Sequence, residues 1–497
     1  MSLSSAWNVA TASLATNAGL TSIVSRNISN AQNSTGYVSA KVANLVTGSG
    51  GASIIQSISD LTNATLFNSM LSSTSANAAA QALSSGVTQL QQSVADATTT
   101  TDSTTAAQSP STLLQALSTA LQAYSASPGN ASAAASVLSA AQNLASGLHS
   151  ASATAQNVRE TADQDMAASV GSINSLLSQF QQVNTTIING TASGADITDA
   201  LDQRDTILKS LSQQIGVTTT TSSNGSMAIY TDSGATLFDT SARTVTMTPT
   251  TTYAASTVGA AVYVDGVPVT GANATMPIQS GALAGLANLR DNVATQYQSQ
   301  LDSIAGGLVN AFAETGQTAA TASSTLPGLF TTTGATSVPG STLVPGLAGA
   351  ISVSAAVDPS QGGSLDLIRD GGINGASYVS NSTGASGYTT RIAGDLSALS
   401  ATQTFSSQGG LSTSQSLSAY ATSSASWLDG AYQTASNNAT YQSTLSTQAS
   451  QALSNATGVN IDSQMSQMLD LENSYQASAK LISTINTMFG ALLQAVA

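Results

Sequence analysis

The amino-acid sequence predicts a mainly α-helical fold carrying an inserted β-rich unit, with discontinuous, nested domains and terminal helices paired as a coiled coil. Three observations predict it. Apolar residues recur at steps of three and four at both extremes of the chain, as in Leu3, Trp7, Ala10, Leu14, Val24 and Ile28, and again in Ile461, Met465, Met468, Tyr475, Ile482, Phe489, Leu493 and Val496. Helical spacing also fills roughly residues 60–215. Between 217 and 280 the period shortens to two and turn dipeptides appear.

Each terminal arm alone would leave a row of large side chains in water, so each needs a partner, and the other arm is the nearest one. The amino-terminal stripe is interrupted by Asn17 and Thr21. At a seam position Asn17 is the kind of residue that fixes register at a cost in stability. The first helix is expected to run to about Ser34, where Asn33-Ser34-Thr35-Gly36-Tyr37 breaks it and Gly36 offers a positive φ. Asn27 and Asn30 read as residues that cap or solvate a helix end, or contact a partner, and Tyr37 as an anchor in a core or an interface. Short extended segments follow in 38–60.

Pro110 after Ser109 and Pro128-Gly129 after Ser127 mark helix boundaries in the next stretch. Its last helix places Leu201, Leu208, Leu211 and Ile215 on one face and ends at Gly216, with Arg204 inside the stripe. No acid lies three or four residues from Arg204, so its charge must leave the helix, for Asp291 or Asp163 on another helix of the domain or for a neighbouring subunit. Asp205 and Lys209, four apart, are expected to form a surface pair.

Asn224-Gly225 precedes an alternating Met227 and Ile229, and Asp265-Gly266 separates two apolar triplets, a strong type I′ hairpin signal. Pro268 confines its strand to a sheet edge. From Leu286 to Phe312 the spacing returns to a helix of about eight turns, which makes the β unit an insertion into a helical domain. Residues 316–350, with three Pro-Gly pairs among Thr and Ser, read as a loop with little to bury. Helix signals resume near Leu396 and continue to the final arm.

The expected division is therefore 1–59 with 456–497 as a terminal coiled-coil domain, 60–216 with 281–315 and 396–455 as a helical bundle, 217–280 as the β-rich insertion, and 316–395 as a loop-rich segment.

Composition narrows the function. The chain has 497 residues, of which 7% are charged, and 24 acids against 10 bases give a net charge of -14. Its three lysines, Lys41, Lys209 and Lys480, stand singly, so a nucleic-acid backbone finds no basic patch. Without cysteine there are no disulfides, thiolate metal sites or cysteine nucleophiles. No apolar run reaches the ~20 residues that span a bilayer, and residues 1–7 lack the basic lead of a cleavable signal. No membrane insertion is expected. His149 is the only histidine and has no acid beside it, so neither a catalytic triad nor a histidine metal site is expected, and no cofactor.

Four stretches carry a resemblance. They are Asn27-Ile28-Ser29-Asn30 with Thr35-Gly36-Tyr37; Leu201-Asp202-Gln203-Arg204-Asp205 running to Gln214-Ile215-Gly216-Val217; Gly281-Ala282-Leu283-Ala284-Gly285-Leu286 with Leu289-Arg290-Asp291; and Gly458-Val459-Asn460-Ile461-Asp462 leading to Tyr475-Gln476-Ala477 and Met488-Phe489. Together and in this order they resemble the flagellar rod, hook and hook-associated axial proteins, and within that family the hook-associated proteins of the first hook-filament junction. The family usually has a proline between Thr35 and Gly36, and two acids where Ser463-Gln464 stands.

The resemblance implies a non-enzymatic structural adaptor of the bacterial flagellum, secreted through the flagellar type III export apparatus and joining hook to filament. Implied partners are further copies of the chain in a ring or short tube, the hook protein, the second hook-filament junction protein, and an export chaperone at the carboxy-terminal arm. The candidate interface residues are Leu3, Trp7, Leu14, Asn17, Asn27, Asn30, Gly36, Tyr37, Arg204, Ile461, Met465, Met468, Tyr475, Ile482 and Phe489. The rival readings are a rod or hook subunit, and a secreted glycan-acting enzyme or adhesin that would need a pair of carboxylates in one cleft.

Overall fold

The computed structural model describes residues 2–32, 38–48, 51–92, 94, 109–318 and 324–496. Gly36 and Tyr37 lie outside them. Helix α1 (Leu3–Ala31) opens the chain, with Ser2 capping it through its hydroxyl to the Ser5 N–H. A hairpin follows, β1 (Lys41–Thr47) against β2 (Ser53–Asp60), antiparallel and bulged between Asn44 and Leu45. The last helix, α12 (Ile461–Val496), packs back on α1, so the two ends of the chain form one unit with the hairpin.

The helical domain is built around α4 (Ala131–Ser193), a single helix of 63 residues, about 95 Å long at 1.5 Å per residue. Asn130 caps its start, its side-chain oxygen accepting from the Ser132 and Ala133 N–H groups. Gly194 ends it at φ 72°. The buried face of α4 is rich in alanine, interspersed with Leu144, Leu148, Met166, Ile173 and Phe180. Small residues let α3 (Pro110–Ala126) and α5 (Thr198–Gln214) lie close along it. Helix α2 (Ala64–Gln92) packs on the 41-residue α11 (Leu417–Thr457) on the other side.

Where α6 (Ala282–Asn288) crosses α2, a Cβ on Gly285 would stand 2.2 Å from the Ala79 carbonyl oxygen, so only glycine permits that approach. Residues Leu289–Val293 form a π-helical turn that joins α6 to α7 (Ala294–Ala311). The expected long helix over 286–312 is thus continuous, with a π bulge inside it.

The β insertion leaves the bundle at Gly216 and returns at Ser280, whose carbonyl accepts the Gly216 N–H at 3.0 Å. It holds two small antiparallel sheets, β3 (Val217–Thr221), β4 (Met227–Thr231) and β5 (Thr236–Phe238), then β6 (Val245–Thr246), β7 (Tyr263–Val264) and β8 (Val267–Pro268). Asp265 and Gly266 have φ of 50° and 82°, which fits a type I′ turn, and Pro268 sits on an edge strand. Phe238 meets Phe180 of α4 edge to face at 4.9 Å, one of the contacts that seats the insertion on the bundle.

Residues 312–416 correct one expectation. They contain little regular structure, yet Leu329, Phe330, Leu347, Ala348, Ile351 and Val357 are buried, and Phe330 packs edge to face on Phe312 at 5.2 Å. The reason is that carboxylates replace the missing backbone ladder. Glu314, fully buried, accepts from the N–H groups of Gly372, Ile373 and Asn374 at 2.9 to 3.1 Å. Asp302 on α7 does the same for Gly346 and Ala348, each at 2.9 Å. A segment without helix or sheet can be buried when its N–H groups find such partners. His149, exposed on α4, adds a 2.6 Å bond from its Nε2 to the Ile351 carbonyl, which pins the same segment.

Candidate assembly interface

Helices α1 and α12 lie antiparallel. Ser13 meets Ser478 (3.3 Å), Asn17 donates to Ser474 Oγ (2.9 Å), and Asn27 donates to Gln464 Oε1 (3.0 Å), so each step up α1 is matched by an equal step down α12. The buried seam comprises Ala10, Asn17, Val24 and Asn27 on one side and Leu471, Ser478 and Ile485 on the other. Leu3, Trp7, Leu14 and Asn30 are half-buried, as are Met468, Ile482 and Phe489.

Ile461, Met465 and Tyr475 are exposed, Tyr475 by 47%. The innermost line on α12 runs through Gln464, Leu471, Ser478 and Ile485 at intervals of seven, beside rather than along the line of Ile461, Met468, Tyr475, Ile482 and Phe489. Intramolecular packing therefore uses one flank of the apolar stripe and leaves the other in solvent. In the observed register Leu3 falls opposite the neighbourhood of Met488, so the last two turns of α12 extend past the end of α1. Leu492 and Leu493 are 59% and 70% exposed there.

Among the described residues, 13 of the 17 exposed large apolar side chains lie in this terminal unit, either on α12 or on the hairpin with its following Leu61. Val42, Leu45, Val46 and Ile54 form the hairpin's share. The surface is thus polar over the helical domain and apolar at the ends of the chain, the distribution that marks an interaction surface.

Asn27 is the hub of the unit. Its Oδ1 accepts the Lys41 N–H at 2.8 Å while its Nδ2 donates to the Lys41 carbonyl at 2.9 Å and to Gln464, so one amide ties α1, β1 and α12 together. Within the chain it is a buried fastener, 1% exposed.

The unit meets the helical domain through ions. The Lys41 ammonium, with 0% of its side chain exposed, lies 2.6 Å from Asp202, 3.4 Å from Asp199 and 3.5 Å from Asp60. Arg26 of α1 pairs with Asp196 at 2.7 Å and Asp199 at 2.8 Å. Burial works against the Lys41 charge, but the Asp202 bond and the neighbouring carboxylates outweigh it and hold its pKa above the ordinary value. Asp60, 1% exposed, is the opposite case: burial first, and then the nearby Asp202 charge, push its carboxyl up to about 7.

Arg204 does not reach Asp291 or Asp163, which are engaged with Arg290. It turns back to its neighbour Asp205 (3.9 Å) and donates to the Gly225 carbonyl (3.3 Å), a choice made because the turn before β4 folds over the end of its side chain. Asp205 faces Arg204 rather than Lys209, and burial raises its carboxyl to about 7 against the pull of that arginine.

No curated protein matches this sequence. Residues 100–329 match the family model of the flagellar hook-associated protein FlgK helical domain, and residues 449–495 match that of the flagellar basal body rod FlgEFG protein C-terminal region. Over these two segments the chain is similar to flagellar hook-associated and rod proteins. A solved structure, that of the flagellar hook junction protein FlgK from Burkholderia pseudomallei, is 22% identical, with a TM-score of 0.42 over 53% of this chain and 46% of that one. The match thus spans slightly less than half of that protein's length.

The hook-associated helical segment contains a second ionic centre that sequence reasoning did not locate. Arg290, at the π turn, pairs with the fully buried Asp163 of α4 and with Asp291 at 2.8 Å. Asp163 also accepts from the Thr250 N–H (2.7 Å) and the Tyr253 hydroxyl (2.8 Å), which fastens the β insertion's long loop to the bundle. Arg159, one turn up α4, donates to the carbonyls of Arg290, Ala254 and Thr257. Cavities of about 270, 380, 420 and 710 Å³ around the bundle are lined by at most one carboxylate each, so none presents the acid pair a glycan hydrolase requires.

Proposed function

We propose that this hook-associated chain is a structural subunit of the junction between flagellar hook and filament, placed in the axial structure through its terminal unit. The observation that carries the reading is the concentration of exposed apolar side chains on α12 and the hairpin, in a protein whose remaining surface is dominated by hydroxyls and amides. Burying such a stripe against neighbouring subunits yields about 25 cal/mol per Å² of apolar surface. A single outward-facing leucine or methionine therefore contributes on the order of 2 kcal/mol when covered.

The α1–α12 pair supplies a preformed rod. Its seam-side residues hold the two arms together, and its outward side chains Met465, Leu469 and Met488 meet further copies in a ring or short tube. The helical domain and β insertion lie outside this layer. Hook protein below and the second junction protein above would be the axial neighbours, and a chaperone would cover the outer face of α12 until export. The chain carries no catalytic role in this reading. The match of residues 100–329 to the hook-associated helical domain favours the junction over the rod or hook alternatives, since the carboxy-terminal match is to a region of rod-type proteins generally.

The test substitutes the outer face while sparing the seam. A Met465→Ser, Leu469→Ser, Met488→Ser triple variant is expected to fold and to be exported, yet to appear in the medium while hooks remain without filaments. Normal filament growth on hooks carrying this variant would overturn the proposal.

A further inference from the structure

The joint between the terminal unit and the helical domain combines a backbone bond, the Ala40 N–H to the Thr457 carbonyl at the end of α11 (2.8 Å), with a cluster of ions. Aspartates at 196, 199, 202 and 205 recur every third residue from just before α5 into the helix, and Asp60 meets them from the end of β2. The cations opposite are Arg26 of α1, Lys41 of β1 and Arg204 of α5 itself. Five carboxyls share three cations. Asp196 and Asp199 are satisfied by Arg26, and Asp202 by Lys41 and by the Ser39 N–H and hydroxyl at 3.3 Å.

Asp60 and Asp205 are left with the remainder. One oxygen of Asp60, Oδ2, is buried and has no hydrogen-bond partner among the described residues, and Arg204 Nε is in the same state. Two protons would make the cluster electrically neutral, and Asp60 and Asp205 are the sites with room for them. Both face Asp202, and burial raises both carboxyls to about 7.

We propose that this cluster is a proton-dependent joint: with Asp60 and Asp205 protonated the hairpin stays docked on α5, and when both ionise the excess charge releases it. The release is confined to the face between hairpin and α5, while the α1–α12 seam and the bundle core remain closed. The reaction is a simple acid dissociation in which each carboxyl loses its proton to water. The joint would operate in the isolated chain, wherever that chain is assembled. It gives the Leu201–Asp205 stretch a task, which is to set the angle between the arms and the helical domain.

The chain's lack of cysteine makes the test direct. Spin labels at Thr47→Cys on β1 and Gln203→Cys on α5, both exposed positions, report the hairpin-to-α5 distance in the full-length protein. The expected result is one narrow distance at about pH 5 and a broader, longer distribution at about pH 9, with a midpoint near the pKa of about 7 shared by Asp60 and Asp205. Asp60→Asn with Asp205→Asn should keep the narrow distance at both pH values. An unchanged distance in the wild-type background, which needs no variant to fold, would overturn the proposal. So would a full pH response in the double variant.

Discussion

Asn17 and Ser474, 457 positions apart in sequence, are hydrogen-bonded at 2.9 Å inside the antiparallel seam of α1 and α12. An amide buried at 7% exposure needs its partner, so this pair favours the alignment that sets Ser474 opposite Asn17.

Replacing Asn17 with alanine leaves Ser474 without that partner and should lower the stability of the terminal unit by about 1 kcal/mol. Asn17→Leu should raise the helix pair's stability while permitting alternative alignments. Crosslinking between cysteines placed at Ser13 and Ser478 measures the alignment: a high yield of the intrachain crosslink with Asn17 in place, a lower one in Asn17→Leu.

Hydrogen exchange should follow the register. Amides near Asn17 and Ser474 are predicted to be the slowest of the two arms, and those of residues 489–496, which have no α1 opposite them, the fastest. Equal exchange along the whole of α12 in the monomer would contradict the overhang as drawn.

Lys41→Met removes the one ammonium from among Asp60, Asp199 and Asp202 and leaves the largely buried Asp202 carboxylate without its cation. The loss should be about 3 to 5 kcal/mol, as for other broken buried pairs. Asp202→Asn, which keeps the shape and part of the hydrogen bonding, should cost less. Urea denaturation of the two variants gives the order.

Asp163→Asn breaks the buried pair with Arg290 and weakens the hold on Thr250 and Tyr253. Limited proteolysis should then cut within residues 248–260 faster than in the parent, while helicity by circular dichroism stays constant. Undiminished protection would mean that Arg159 alone anchors that loop.

Asp395 on α10 (Thr390–Ser400) is buried, and burial lifts its carboxyl to about 7 despite the nearby Arg391. The folded state keeps a proton that the unfolded chain, with an ordinary aspartate near 3.9, has already released. Stability from this group is therefore complete below about pH 4 and declines as pH rises toward 7. Asp395→Asn should remove that part of the slope and be the more stable form at about pH 8, as read from urea midpoints at two pH values.

Most of the fold was legible because it is periodic. The β insertion announced itself at Asn224-Gly225 and Asp265-Gly266, and the long helices through their apolar spacing. The seam was read one line away from its true centre because Gln464 and Ser478 are polar, which hides the heptad line that Leu471 and Ile485 complete. Burial of 312–416 depends on Glu314 and Asp302 meeting loop N–H groups far along the chain, a relation no local pattern carries. The ionic joint did leave a trace: aspartates at every third position from 196 to 205, in a chain with few charges, require cations on the facing element. That those cations are Arg26 and Lys41, about 160 residues upstream, is a fact of tertiary structure.

Of the chain's ten lysines and arginines, four, Lys41, Arg159, Arg290 and Arg369, are buried. Enzymes that cleave after basic residues consequently meet at most six targets in 497 residues, of which Arg204 and Arg391 are largely covered and some others lie within helices. This scarcity of bases makes the folded protein a poor substrate for trypsin-like digestion, a form of durability written into its composition.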